Sequence, residues 1–244
     1  MFRRVGLITR KGDAGVRAVL EQVAGLLRAR GASVLLDRAS AMLLAGQADF
    51  EDDAAALPPM DLLVAVGGDG TMLAAGRLLR EYPDVRLVGI NLGHLGFLTD
   101  LTPGMLPDAL DRILGGAYDE DERFFLECTV VREGTTLARA QALNDVAVMK
   151  WNTARLISID TWIDGRFVHR QRSDGVIVCT PTGSTAYALS GGGPLLDPAL
   201  EAIGLVPICP HALTNRPLVV AAGALVEFVV TTGGPDSARV VCDG

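Results

Sequence analysis

The run Leu62-Leu63-Val64-Ala65-Val66 meets Gly67-Gly68-Asp69-Gly70-Thr71 and continues at once as an amphipathic pattern through Leu79. Glycines at 67, 68 and 70 let main chain approach a ligand closely and gather N–H groups about an anion. A helix that starts there adds the positive end of its dipole, so phosphate suits the loop. The plainer alternative is a strand-to-helix turn in which Asp69 merely caps the helix, and the loop alone leaves both readings open.

A second tract, Arg172 to Pro194, feeds the apolar Val176-Ile177-Val178-Cys179 into Thr180-Pro181-Thr182-Gly183-Ser184-Thr185 and then Tyr187, Ser190 and three glycines. So many hydroxyls after a strand need a polar ligand or another backbone as partner. Upstream, Asn144-Asp145 sets an amide beside a carboxylate. The amide can donate and accept toward a purine edge, and the carboxylate can accept from ribose hydroxyls. Taken alone the pair reads as a turn or a bulge. Gly89 to Thr99 follows another strand-like run, at the edge where open α/β sheets bind ligands. His94 within it reads as a structural or rim residue, and Arg10-Lys11-Gly12-Asp13 as a solvated loop. Neither the phosphate-loop pattern G-x-x-x-x-G-K-S/T nor a G-x-G-x-x-G at the first strand is present.

The elements that would carry these residues change style along the chain. Val5–Thr9, Ser33–Asp37, Leu62–Val66 and Arg86–Ile90 read as strands, with helices between or after them. Helical spacing of Val16, Val19, Leu20, Val23, Leu26 and Leu27 ends at Gly31, and further helices are expected over 71–80 and 105–114. This alternation implies an α/β domain with a parallel sheet covered on both faces, over residues 1–119. From about residue 120 short β-rich runs take over: 125–132, 136–142, 156–163, 167–171, 176–179, 218–220, 226–231 and 239–242. Asp164-Gly165 between two of them is a strong hairpin signal. A mostly β domain is therefore expected over 120–244.

Composition narrows the partners. The 244 residues are 49% hydrophobic and carry a formal charge of −7, which argues against a sequence-independent nucleic-acid binder. No apolar run is long enough for a membrane span, and the N-terminal Met1-Phe2-Arg3-Arg4 leads into too short an apolar core for a signal peptide, so a cytoplasmic location is expected. The four cysteines, Cys128, Cys179, Cys209 and Cys242, lack metal or disulfide spacing and are expected to be buried free thiols.

In this order, GGDGT, GINLGHLGFLTD, ALNDV, RSDGVIVCTPTGSTAYALSGGGP and PICPHALTNRPLVV resemble the bacterial NAD kinase family over nearly the whole chain from Leu62 onward. GGDGT is shared with lipid kinases and more loosely with 6-phosphofructokinase, whereas TPTGSTAY belongs narrowly to NAD kinases. The resemblance implies the two-domain fold common to NAD kinases and diacylglycerol kinases. It implies transfer of the ATP γ-phosphoryl group, with a divalent cation such as Mg²⁺, to the 2′-hydroxyl of the adenosine ribose of NAD, and a homo-oligomer whose neighbouring subunits border the dinucleotide site. Asp69 would be the proton acceptor and Gly70 part of the same loop. Asn144 and Asp145 would hold the adenosine portion, and Arg155, Arg172 and Asp174 would line the rest of the dinucleotide. Thr185, Ala186, Tyr187, Ala188, Leu189 and Ser190 would form one wall. No dedicated protein metal ligand is named by the resemblance. Family members continue past Cys242-Asp243-Gly244, with a Gln and a closing tail, so a truncated chain with an exposed apolar patch on the first domain is expected. Gly191 replaces an alanine common in the family. The alternatives are a dinucleotide-binding protein that has lost catalysis and a lipid kinase of the same superfamily.

Overall fold

The computed structural model describes residues 2–10, 14–51, 57–93, 96–212, 214–232 and 237–244. The loop at Lys11–Asp13 and His94, both singled out above, lie outside the described residues. Two compact units divide the chain, Met1–Glu120 and Asp121–Gly244.

The first unit runs β1 (Arg4–Ile8), α1 (Ala14–Ala29), β2 (Ser33–Leu36), α2 (Arg38–Leu43), β3 (Leu62–Val66), α3 (Asp69–Leu79), β4 (Arg86–Ile90) and α4 (Leu106–Leu114). Its sheet has the order β2-β1-β3-β4 and every pairing is parallel. Successive side chains of a strand face opposite sides, and β3 shows what that does here. Leu62, Val64 and Val66 pack with Leu20 and Leu27 of α1 and Leu106 and Leu110 of α4, while Leu63 and Ala65 pack with Ala75 and Leu79 of α3. With both faces covered, β3 is buried along its whole length and ends abruptly in the glycine loop. Helix α2 was not expected. Asp37 caps it, its carboxylate accepting from the N–H groups of Ser40 at 2.9 Å and Ala39 at 3.3 Å, and so local capping outweighs a sequence too short to show a period.

The second unit contains β5 (Leu126–Arg132), β6 (Thr135–Ala142), β7 (Asp145–Lys150), β8 (Ile157–Ile163), β9 (Arg166–Ser173), β10 (Gly175–Cys179), α5 (Tyr187–Ser190), β11 (Ala202–Ile208), β12 (Leu218–Ala221), β13 (Val226–Val230) and β14 (Ala238–Cys242). They form a five-stranded sheet, β12-β11-β10-β7-β14, a three-stranded sheet, β13-β8-β9, and the ladder β5-β6. Asp164 and Gly165 take positive φ of 50° and 72°, as the hairpin reading requires.

Two strands escape sequence reading. Strand β7 begins at Asp145, in the Asn144-Asp145 pair that alone reads as a turn or a bulge, yet it lies between β10 and β14. Strand β11 contains Gly204 and Pro207, which argue against a strand. Its partner β12 pairs only with Ala202–Leu205, so Pro207 lies beyond that ladder and its missing N–H forfeits no bond there. The cysteine expectation also needs correction. All four are free, but only Cys179 is buried, Cys128 and Cys242 are half-buried, and Cys209 is exposed. Apolar neighbours in sequence do not say whether a strand position faces the core.

Candidate functional site

In the first unit the site is the junction of β3 and α3. Gly68 is the N-cap and contributes no side-chain cap, so the helix start is left to the main chain and to any anion that docks there. Cβ atoms at Gly68 and Gly70 would meet nothing within 4 Å. Packing therefore does not demand glycine at either position, and the main chain there is open to close approach. Asp69 is the first helical residue rather than the cap. Its carboxylate accepts from the N–H groups of Phe97 at 3.0 Å and Leu98 at 3.2 Å, one on each oxygen. A Cβ at Gly96 would collide with that carboxylate, so glycine is required there for close approach. The Gly89–Thr99 tract is thus tied to GGDGT through Asp69 itself.

In the second unit a cavity of about 400 Å³ is lined by Asn144, Asp145, Ala186 and Tyr187, with Met149 and Arg239 among its other walls. The start of β7 is held from both sides. On one side the Thr180 N–H donates to the Asn144 carbonyl at 2.9 Å, and the Thr180 hydroxyl donates to the Leu143 carbonyl at 2.6 Å. On the other, the Asp243 carboxylate accepts from the N–H groups of Leu143, Asn144 and Asp145 at 3.0, 2.7 and 3.2 Å. Among the described residues the buried Oδ1 of Asn144 has no hydrogen-bond partner. A buried acceptor left open beside a cavity is suited to a donor on a ligand.

The hydroxyls of the Thr180–Thr185 tract have another use. Ser184 donates to the Pro181 carbonyl at 2.6 Å and accepts from the Leu196 N–H at 3.0 Å, Thr185 donates to the Thr182 carbonyl at 3.2 Å, and Thr180 bonds as above. Of the two partners weighed for them, backbone takes these hydroxyls. They build the wall that presents Ala186 and Tyr187.

Burial pushes the Asp145 carboxyl from the usual 3.8 up to about 6, and the nearby Asp243 adds to the rise. The folded state therefore holds a proton that the unfolded chain releases between these values, and the contribution of Asp145 to stability falls as pH rises through this window. Full loss amounts to about 3 kcal/mol above pH 6. Asp145→Asn is expected to raise the thermal midpoint at pH 8 and to leave it nearly unchanged at pH 4. Melting curves of both proteins at the two pH values check this, and an equal shift at both would refute it.

The sequence-derived site residues fall into three places. Asp69 and Gly70 start α3 in the first unit. Asn144, Asp145, Ala186 and Tyr187 share the cavity, and Thr185, Ala188, Leu189 and Ser190 flank it in sequence without lining it. Arg172 and Asp174 lie toward the far end of β7, where Asp174 pairs with Lys150 at 2.6 Å, and Arg155 is exposed in the turn before β8. Five residues of strand separate Asp145 from Lys150, roughly 17 Å. Sequence reasoning missed Met149, Arg239 and Asp243. Arg239 lies over the Trp151 ring at 4.4 Å from its centre. The one available signal was an acidic residue directly after an apolar strand run, at Cys242-Asp243.

Comparison with known proteins covers both units. Residues 5–118 match the family model described as the ATP-NAD kinase N-terminal domain, and residues 143–244 match the ATP-NAD kinase C-terminal domain. An NAD kinase of Nitrosococcus oceani is 44% identical over 246 residues, an alignment that takes in 100% of this chain and 83% of that protein. Among solved structures, yeast NADH kinase complexed with NADH superposes with a TM-score of 0.85 at 26% identity, over 99% of this chain and 75% of the other. An NAD kinase from Archaeoglobus fulgidus in complex with ATP gives 0.76 at 30% identity, over 99% and 84%.

Proposed function

Because the chain belongs to the NAD kinase family, we propose that it transfers the γ-phosphoryl group of ATP to the 2′-hydroxyl of the adenosine ribose of NAD, releasing ADP and NADP. The observation that carries this reading is the open, buried acceptor of Asn144 beside Asp145 in the cavity wall. Asn144 would accept from the adenine amino group, and Asp145, ionised above about pH 6, would accept from ribose hydroxyls. The second unit is then the dinucleotide-binding domain, and the first carries the loop that serves phosphate.

Phosphoryl transfer asks a protein chiefly to position reactants and stabilise charge. The γ-phosphorus gains a bond to the ribose oxygen and loses its bond to the bridging oxygen of ADP. Asp69 would orient the 2′-hydroxyl and take its proton, and the main chain of Gly68–Gly70, with the helix start, would face phosphate. Among the described residues no group of three His, Cys, Asp or Glu side chains gathers to hold a metal ion. A divalent cation such as Mg²⁺ would therefore enter on the phosphates of ATP, keeping waters, and would neutralise their charge. The decisive experiment incubates the protein with ATP, Mg²⁺ and NAD and measures NADP. Phosphorylation of a lipid instead would favour the lipid-kinase reading, and NAD binding without turnover the catalytically silent one.

Self-association belongs to the same proposal. Val219 on β12 and Phe167 and Val168 on β9 are exposed on strands at the edges of their sheets, and such edges are usually covered. A neighbouring copy bordering the dinucleotide site would also give Arg172 and Asp174 a role that their distance from Asp145 denies them within one chain. Light scattering should show a homo-oligomer at assay concentration, and monomer alone would count against it. Among the described residues no helix is long and apolar enough to cross a membrane. A cytoplasmic location goes with this reading and with the supply of ATP and NAD.

A further inference from the structure

We propose that Asp243, a hundred residues along the chain, is the positioning residue for Asn144 and Asp145: its carboxylate holds the main chain that aims both side chains into the cavity. The inference rests on the nucleoside-binding reading above for its consequence in catalysis, but its geometry stands alone. Three successive N–H groups, of Leu143, Asn144 and Asp145, converge on one carboxylate at 3.0, 2.7 and 3.2 Å. Convergent N–H groups of this kind form an anion-binding nest, here filled by the protein's own side chain. In return the Asp243 N–H donates to the Asp145 carbonyl at 3.0 Å. Asp243 adopts a positive φ of 55°, a left-handed backbone conformation uncommon outside glycine. The nest lies at the head of β7, where no strand ladder fixes Leu143 and Asn144, so the carboxylate and Thr180 share that task.

Asp243 also lines the cavity, and its negative charge opposes ionisation of Asp145. Other titratable or charged groups around Asp145 are the Cys179 thiol on β10, the Cys242 thiol and Arg239 on β14, and the Tyr187 hydroxyl at the start of α5. The Cys179 and Cys242 thiols are both pushed up to about 11, so neither changes charge near pH 6. Asp243 is then the partner whose removal should be felt by Asp145.

The test is Asp243→Asn in the chain as it stands. One amide oxygen replaces two carboxylate oxygens, so a donor now faces an N–H of the nest, and the charge is gone. Two readouts follow. Carboxyl NMR, with the Asp145 resonance assigned through Asp145→Asn, should show Asp145 titrating about one pH unit lower than in the wild type. The KM for NAD should rise about tenfold, with kcat changed much less. A residue that only stabilised the fold would lower the thermal midpoint and move neither, and an unmoved Asp145 titration in a folded Asp243→Asn protein overturns the proposal. If Asp243→Asn does not fold, Asp243→Glu takes its place. It keeps the charge but seats one methylene too far out, so KM should rise while Asp145 titrates where it does in the wild type; unchanged KM overturns the proposal. The NMR titration needs no turnover. A wild type that makes no NADP would therefore defeat the kinase reading while the Asp145 titration, and the amide shifts of Leu143–Asp145 in Asp243→Glu, still decide the role of Asp243.

Discussion

Asp69→Asn is expected to lower kcat by roughly 10²- to 10⁴-fold, the range typical of a lost general base, while NAD affinity stays within a few-fold of wild type. Asn keeps the shape of Asp and can still hydrogen-bond a hydroxyl, but it cannot take the proton. The competing account is structural and differs from simple helix capping, because Gly68 holds the cap position and Asp69 instead accepts from the N–H groups of Phe97 and Leu98. Were that clamp the whole role, Asn would retain one acceptor and turn a donor toward the other N–H. The outcome would be a loss of about 1 to 3 kcal/mol in stability with turnover close to normal once the protein is folded. The measurements that separate the accounts are kcat, NAD affinity and the thermal midpoint of one purified variant. Near-wild-type turnover with a lowered midpoint would sink the catalytic role.

Gly183→Ala should be the most damaging single-methyl change in the second unit. A Cβ there would overlap the carbonyl group and Cα of Asn144, which are main-chain atoms and cannot rotate away. Relief requires either Asn144 or the turn over Thr180–Ser184 to move. The bonds at stake are the Thr180 N–H to the Asn144 carbonyl, the Gly183 N–H to the Thr180 hydroxyl at 3.0 Å, and the Thr180 hydroxyl to the Leu143 carbonyl. Overpacking of this kind costs about 3 kcal/mol. The same displacement misaims Asn144, and kcat/KM for NAD should fall about 10²-fold. Denaturant melts and steady-state kinetics check both parts. A variant with wild-type stability would show that the turn relaxes freely and that the close packing of the TPTGST tract on β7 is not needed.

The sequence by itself determined the features written in local pattern. Helical spacing from Val16 to Leu27 and the strand runs around it specify an α/β unit, since each face of β3 needs its own cover. Asp164-Gly165 specifies its turn because positive φ at both positions suits few other pairs. The GGDGT loop marks a strand-to-helix junction because its glycines break an apolar strand run just before a helical period begins. Tertiary structure alone decided the rest. Asn144-Asp145 looks like a turn in sequence because Asn and Asp favour turns, and only pairing with β10 and β14 makes β7 an interior strand. The hydroxyls of Thr180, Ser184 and Thr185 suggested ligand contacts until the backbone that takes them could be seen. Asp69 is joined to Phe97 and Leu98 across 28 and 29 positions, and Asp243 to Leu143–Asp145 across about a hundred. A hydrogen bond is set by distance and angle in space, and no periodicity records a partner so far along the chain. Local pattern therefore named the residues able to do chemistry, while long-range pairing decided which of them share a cavity and what holds them there.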